Sequence, residues 1–208
     1  QESTGIVAVD EHGQARAHRG MGLVSENFTE SSLSKLLGDV AVGHTRYSTA
    51  GSSVLANAQP LLNDYKSGPL TIAHNGNLTN APQLRKQLVD EGALFQTTTD
   101  TEVLLHLIAR SRKETPEDQI REALEQCEGA FTLLLSVGRT IYAVVDSRGF
   151  RPMVLGRIAG GVVVASETCA LDLVGAQMMC ELTPGQFLRI EEGQITELPR
   201  LKPRPVSR

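Results

Sequence analysis

The sequence lacks several features whose absence narrows what it can be. No apolar run approaches the ~18 residues that a membrane-spanning helix needs, and no stretch reads as a signal peptide. Neither a membrane span nor export is therefore expected. An excess of positive charge is also missing. With 20 Lys and Arg against 24 Asp and Glu the formal charge is −4, and the isoelectric point is near 5.8. Nucleic acid and anionic membranes are poor partners for such a surface. Cysteine is scarce: Cys127, Cys169 and Cys180 are odd in number and form no CxxC spacing. That excludes a disulfide framework and a zinc site and points to a reduced, cytoplasmic setting. No internal repeat is visible.

What remains is ordinary for a globular chain with a real core: 208 residues, 40% apolar and 21% charged, long for one average domain and short for two. Strand signals fall at 5–9, 40–44, 70–74, 130–137, 140–146, 153–155, 161–166, 186–190 and 194–197. Val137-Gly138-Arg139 and Glu191-Glu192-Gly193 supply hairpin turns between neighbouring runs, so antiparallel pairing is predicted. Helical periodicity appears at 81–91, at 101–112 with Val103, Leu104, Leu107 and Ile108 on one face, and at 117–127 behind Pro116. Strands flanking central helices predict helices packed outside two antiparallel sheets. The chain opens at Gln1-Glu2-Ser3 without Met and closes in a Pro-rich basic stretch. Both ends are therefore expected to be internal to a longer protein, with 199–208 as a linker.

Three segments carry candidate chemistry. Ala73-His74-Asn75-Gly76-Asn77-Leu78 follows an apolar run, and the Asn75 carboxamide and Gly76 N–H are two donors that could serve as an oxyanion hole. The same Asn-Gly pair is also the commonest hairpin turn signal. Gly43-His44-Thr45-Arg46-Tyr47-Ser48-Thr49 leaves a strand with a polar tip. Arg46 could grip a carboxylate bidentately, with Tyr47 and Thr49 shaping the pocket, or sit in a structural ion pair. In Thr97-Thr98-Thr99-Asp100-Thr101-Glu102, Thr99 and Glu102 make a capping box that accounts for Asp100 as a first-turn acid. Alternatively, Asp100 receives the ammonium of the amino acid whose carboxylate Arg46 holds. Asp146 reads as a turn cap, Ser166 as a helix N-cap and Cys169 as a small buried residue. His12, His18 and His106 read as surface or structural, and Ser48 has no triad partner.

Taken together, Gln1–Ile6, 43–49, 74–78 and 99–103, with Asn57-Ala58-Gln59-Pro60, Gly149-Phe150-Arg151-Pro152 and Ser166-Glu167-Thr168-Cys169-Ala170, resemble the glutaminase domain of class II glutamine amidotransferases. These are N-terminal-nucleophile hydrolases. Within that family the segments are most similar to the amidophosphoribosyltransferase branch, and the likeness runs in order to about Arg189. The resemblance implies an α+β fold, a four-layer αββα sandwich of two antiparallel sheets, spanning 1–198. It implies glutamine as substrate and Asn75 and Gly76 as the oxyanion hole. Arg46, Tyr47, Thr49, His74 and Asp100 are then the substrate-binding residues. It further implies that ammonia passes to phosphoribosyl pyrophosphate, with Mg²⁺, on a domain beyond residue 208, in a protein that forms a homo-oligomer when full length. Any iron–sulfur cluster would have its ligands outside these residues, and no cofactor is expected within them. The family's nucleophile is an N-terminal cysteine, two dozen residues upstream of Gln1, borne on a strand that this sequence lacks. By itself the chain is thus expected to be inactive. The alternatives are another class II amidotransferase, or a glutamine-binding relative without the nucleophile.

Overall fold

The computed structural model describes residues 2–47 and 52–202. In chain order it holds β1 (Ser3–Val9), β2 (Ala15–Met21), the short helices α1 (Val24–Asn27) and α2 (Glu30–Leu33), β3 (Val40–Arg46), a 3-10 turn (Leu55–Asn57), β4 (Leu61–Tyr65) and β5 (Gly68–Leu78). Three central helices follow: α3 (Ala81–Asp90), α4 (Thr101–Arg110) and α5 (Pro116–Leu124). The remainder is β6 (Gly129–Val137), β7 (Thr140–Val145), β8 (Val154–Ile158), β9 (Gly161–Ala165), α6 (Thr168–Val174), β10 (Gln177–Glu181), β11 (Phe187–Glu191) and β12 (Gln194–Leu198).

Every strand pairing is antiparallel. One sheet has six strands in the order β12-β11-β7-β6-β5-β4. Facing it are two three-stranded sheets, β2-β1-β3 and β10-β8-β9. Both hairpins form where turn chemistry placed them: Gly138 has φ 55°, and Glu192 and Gly193 have φ 48° and 72°, the double positive φ of a type I′ turn. Side-chain alternation along β5 and β6 builds the layers. Leu70, Ile72, Leu133 and Leu135 pack against Leu88, Leu104, Ile108 and Ile120 of the central helices. The opposite face, through Ala143, Val145 and Leu188, packs under Met153 and Leu155. α1 lies against β1 and β2, and α6 against β8, β9 and β10. The result is the expected αββα sandwich, with one difference: the second sheet layer is in two pieces that share no strand pairing among the described residues. Burying side chains such as Leu104 and Ile108 contributes about 1.5–3 kcal/mol each, so the helical face of the six-stranded sheet is the main source of rigidity.

Several local expectations are corrected. β5 does not stop at His74 but continues to Leu78, so the Asn-Gly pair is strand, not turn. The polar edge strands β2 and β4 and the wholly exposed β10 gave no periodic signal. Ser166 does not cap α6, whose N-cap is Glu167, and Cys169 is exposed rather than buried. Asp146 is a turn cap as read: it is buried and its carboxylate accepts N–H bonds from Phe131, Arg148, Gly149 and Phe150. Beyond β12, Arg200 donates to Thr183 and Leu201 donates to the Gly185 carbonyl, so these residues lie on the domain. No helix among the described residues is long and apolar enough to cross a membrane.

Candidate active site

The outer edges of β3 and β9 carry no partner strand among the described residues. Between them opens a cleft of about 790 Å³ lined by β3, the end of β9 and the polar stretch of β5. Asn75 and Gly76 lie on its lining, within a strand whose partners there are Thr132 and Phe131 of β6. His74 turns its side chain toward α4, where it meets Thr101. Alternation therefore turns the Asn75 carboxamide to the other face, into the space between the sheets. Gly76 has φ 148°, and a Cβ there would stand 2.0 Å from the Ala130 carbonyl oxygen. Only glycine permits this close approach of β5 to β6.

β3 brings Arg46 to the same cleft. It is 5% exposed, its Nη1 lies 3.9 Å from Glu2 Oε2 and it donates to the Ser52 carbonyl at 3.5 Å. A guanidinium at a cleft wall and an ion pair at a strand end are thus both true of Arg46. Tyr47 lines the cleft and is 75% exposed. Thr49 and Ser48 lie outside the described residues. Asp100 also lines the cleft, but the predicted capping box does not form. Asp100 itself occupies the N-cap of α4, without a side-chain cap bond. Glu102 turns back instead to accept from the N–H groups of Gln96 and Thr97 and from the Thr97 hydroxyl. Relieved of capping, the Asp100 carboxylate reaches across to β5 and accepts the Leu78 N–H at 2.8 Å. Burial pushes its pKa up, but the hydrogen bonds from His74 and from the Leu78 and Thr101 N–H groups outweigh that, and the net shift is downward. An ionised carboxylate thus faces the cleft near neutral pH.

Two residues outside the predicted site organise it. Asn57 is wholly buried; it donates to the Ser52 carbonyl and Thr98 hydroxyl and accepts the Thr98 N–H. Gln59 accepts the His74 N–H at 2.8 Å and donates to Thr101 at 3.2 Å. Their only signal in the sequence was the Asn57-Ala58-Gln59-Pro60 motif. His44 also lines the cleft; burial above all holds its pKa down at about 4, so it is a neutral imidazole. Cys169 completes the far wall with its Sγ 3.4 Å from Glu167 Oε2, a contact that raises the thiol pKa. Among the described residues no three His, Cys, Asp or Glu side chains gather closely enough to hold a metal ion.

Asn75, Gly76, the buried Arg46 and the ionised Asp100 thus line one cleft in an αββα sandwich. A family model for the glutamine amidotransferase domain matches residues 44–173, and the chain belongs to that family. Among the relatives it resembles are amidophosphoribosyltransferases. It is 46% identical over 199 residues to amidophosphoribosyltransferase of Bacillus subtilis, covering 95% of this chain and 42% of the relative. It is 47% identical over 193 residues to chloroplastic amidophosphoribosyltransferase 2 of Arabidopsis thaliana, covering 92% and 34%. The solved structure of the glutamine phosphoribosylpyrophosphate amidotransferase from B. subtilis, complexed with ADP and GMP, superimposes with a TM-score of 0.90 at 43% identity, over 97% of this chain and 43% of that one. The chain therefore spans less than half the length of these relatives.

Proposed function

We propose that this chain is the glutaminase portion of an amidophosphoribosyltransferase, releasing ammonia from glutamine for a phosphoribosyl pyrophosphate acceptor held elsewhere in the longer protein. Phosphoribosylamine, for purine synthesis, is then made there in a Mg²⁺-dependent step. The observation that carries the reading is the convergence of Asn75, Gly76, Arg46 and Asp100 on one cleft. Arg46 takes the α-carboxylate of glutamine and Asp100 the α-ammonium, a pair of opposite charges that selects a free amino acid. The side-chain amide then lies toward Asn75 and Gly76. A thiolate adds to the amide carbon and the negative charge develops on oxygen, where the Asn75 N–H and Gly76 N–H stabilise it. The C–N bond breaks, nitrogen leaves as ammonia with a proton from the group that deprotonated the thiol, and water hydrolyses the thioester to glutamate.

None of the three cysteines suits the thiolate role. Cys127 is buried and bonded to the Ala123 carbonyl, and Cys180 is exposed on β10. Cys169 reaches the cleft, but Glu167 favours its protonated form, and only the thiolate is nucleophilic. In our reading the nucleophile comes on an extended segment outside these 208 residues, laid between the unpaired edges of β3 and β9. The 208-residue chain should accordingly bind L-glutamine in a calorimetric titration, lose that binding in Asp100→Asn, and release no ammonia. Ammonia release by this chain that a thiol-alkylating reagent abolishes would overturn the assignment of the nucleophile and turn attention to Cys169. For the longer protein, ammonia release without phosphoribosylamine would indicate a different acceptor. Glutamine binding without hydrolysis would leave a non-catalytic glutamine-binding module.

A further inference from the structure

His74 is the most completely buried ionisable group at the cleft, with its side chain 1% exposed. Too enclosed to touch a substrate broadly, it sits in a network whose donors can be assigned one by one. A backbone N–H is always a donor, so the His74 N–H fixes the atom it meets at 2.8 Å as Gln59 Oε1. Gln59 Nε2 is then the atom 3.2 Å from Thr101 Oγ1, and it donates. Thr101 Oγ1 has one hydrogen left, with two acceptors in reach: Asp100 Oδ1 at 3.5 Å and His74 Nδ1 at 3.3 Å. Were it given to Nδ1, the imidazole proton would have to sit on Nε2. That atom is buried and has no partner among the described residues. An orphaned buried N–H is costlier and rarer than a bare buried lone pair. The proton therefore belongs on Nδ1, directed at Thr101 Oγ1 and at Asp100 Oδ1, 3.6 Å away, while the Thr101 hydroxyl turns to the same carboxylate oxygen. Asp100 Oδ2 is held separately by the Leu78 N–H.

We propose that His74 is a positioning residue for substrate recognition: an imidazole whose Nδ1–H, with Thr101 and Gln59, orients the Asp100 carboxylate toward the ammonium of the bound amino acid. This rests on the assignment of Asp100 under the proposed function. It gives His74 a role through Asp100 in place of direct contact, and it explains why a single run, His74-Asn75-Gly76, serves both ends of the substrate. One side chain turns down to the aspartate below the strand and the next turns up into the cleft.

The ring geometry supplies the test. Asparagine places its amide nitrogen where Nδ1 stands, whereas glutamine reaches the position of Nε2. In the full-length protein, His74→Leu should raise KM for glutamine about tenfold, the value of a lost hydrogen bond to a charged group, with kcat changed by less than about twofold and ammonia-driven activity kept. His74→Asn should restore KM and His74→Gln should not. In the unmodified chain, ¹⁵N shifts of the ring should report a proton on Nδ1 and none on Nε2. Rescue by His74→Gln but not His74→Asn would overturn the inference, as would an Nε2–H ring. Equal loss with glutamine and ammonia in all three variants would also overturn it, since His74 would then be a folding residue. Should His74→Leu not fold, the Asn and Gln pair decides alone. If Asp100→Asn leaves KM unchanged, the reading of the site fails. If Asp100→Asn raises KM and His74→Leu does not, only the role of His74 fails.

Discussion

Replacing Gly76 by alanine separates the strand's architecture from its chemistry. A Cβ at this position would lie 2.0 Å from the Ala130 carbonyl oxygen, 2.8 Å from Phe131 Cα and 2.9 Å from the Ala130 carbonyl carbon. Real Cβ contacts essentially never fall below 3.0 Å, so the two strands must part by about an ångström. All three obstructing atoms are backbone, so no side chain can rotate away to relieve the clash. The opposing strand has a matching constraint, because a Cβ on Gly129 would meet the Asn77 carbonyl at 2.1 Å. Parting β5 from β6 sacrifices one or two ladder hydrogen bonds at about 1 kcal/mol each. Holding alanine at φ 148° adds about 1–3 kcal/mol. The sum is about 2–5 kcal/mol, and for a chain of this size each kcal/mol lowers Tm by about 2–4 °C. Gly76→Ala should therefore melt roughly 4–20 °C below the unmodified chain in a calorimetric or circular-dichroism scan. Gly138→Ala is the internal control: it also has positive φ, at 55°, but a Cβ there meets nothing within 4 Å. It should cost only the αL strain of about 1–2 kcal/mol. If the two variants melt together, the close approach of β5 and β6 does not constrain Gly76 and the reasoning fails.

Three further outcomes follow from the same geometry. Asn75→Ala, whose side chain faces the cleft, should leave Tm nearly unchanged while lowering glutamine-dependent kcat of the full-length protein about 10²–10³-fold; a rise in KM alone would make Asn75 a ground-state contact. Asp100→Asn should chiefly raise KM for glutamine while ammonia-driven activity persists, because ammonia needs no charge pair; steady-state kinetics with each nitrogen donor separates this from a folding defect. His44 should make the fold acid-sensitive. Its folded pKa of about 4 lies below the ordinary 6.5, so between those values the unfolded chain binds the extra proton and stability falls as pH falls. The loss approaches about 3 kcal/mol at 1.36 kcal/mol per pH unit, and His44→Asn should flatten the fall in urea midpoint from pH 7 to 5.

Where local chemistry decided the structure, the sequence was readable. The hairpins at Gly138 and at Glu192-Gly193 need φ values that those residues supply, and Pro116 behind Thr115 starts α5 with a side-chain cap from Thr115 to the Asp118 N–H. Leu84 and Leu88, four apart on α3, are both buried as their spacing required. Where pairing was non-local, it was not readable. β10 has all five residues exposed, so no alternation marks it, and it exists because β8 offers an edge. β2 and β4 mix polar and apolar residues for the same reason: edge strands with an open face. The division of the second sheet into two pieces depends on which strands lie side by side, and no local pattern reports that.

The site itself was ambiguous segment by segment for a physical reason. Asn-Gly is a turn signal until a partner strand occupies the far side, and Phe131 and Ala130 provide that partner through a contact only glycine allows. Thr99-Asp100-Thr101-Glu102 is a capping box until Glu102 finds better donors, and the N–H groups of Gln96 and Thr97 are those donors. Each resolution depends on the other. Because Glu102 is engaged upstream, Asp100 has no cap to make and is left to accept the Leu78 N–H from β5. Because β5 runs on as a strand past Asn75 and Gly76, Leu78 is there to donate. One hydrogen bond between two segments 22 residues apart thus brings a turn motif and a cap motif together, with Asn75 and Gly76 on one wall of a single cleft and an anionic corner at Asp100.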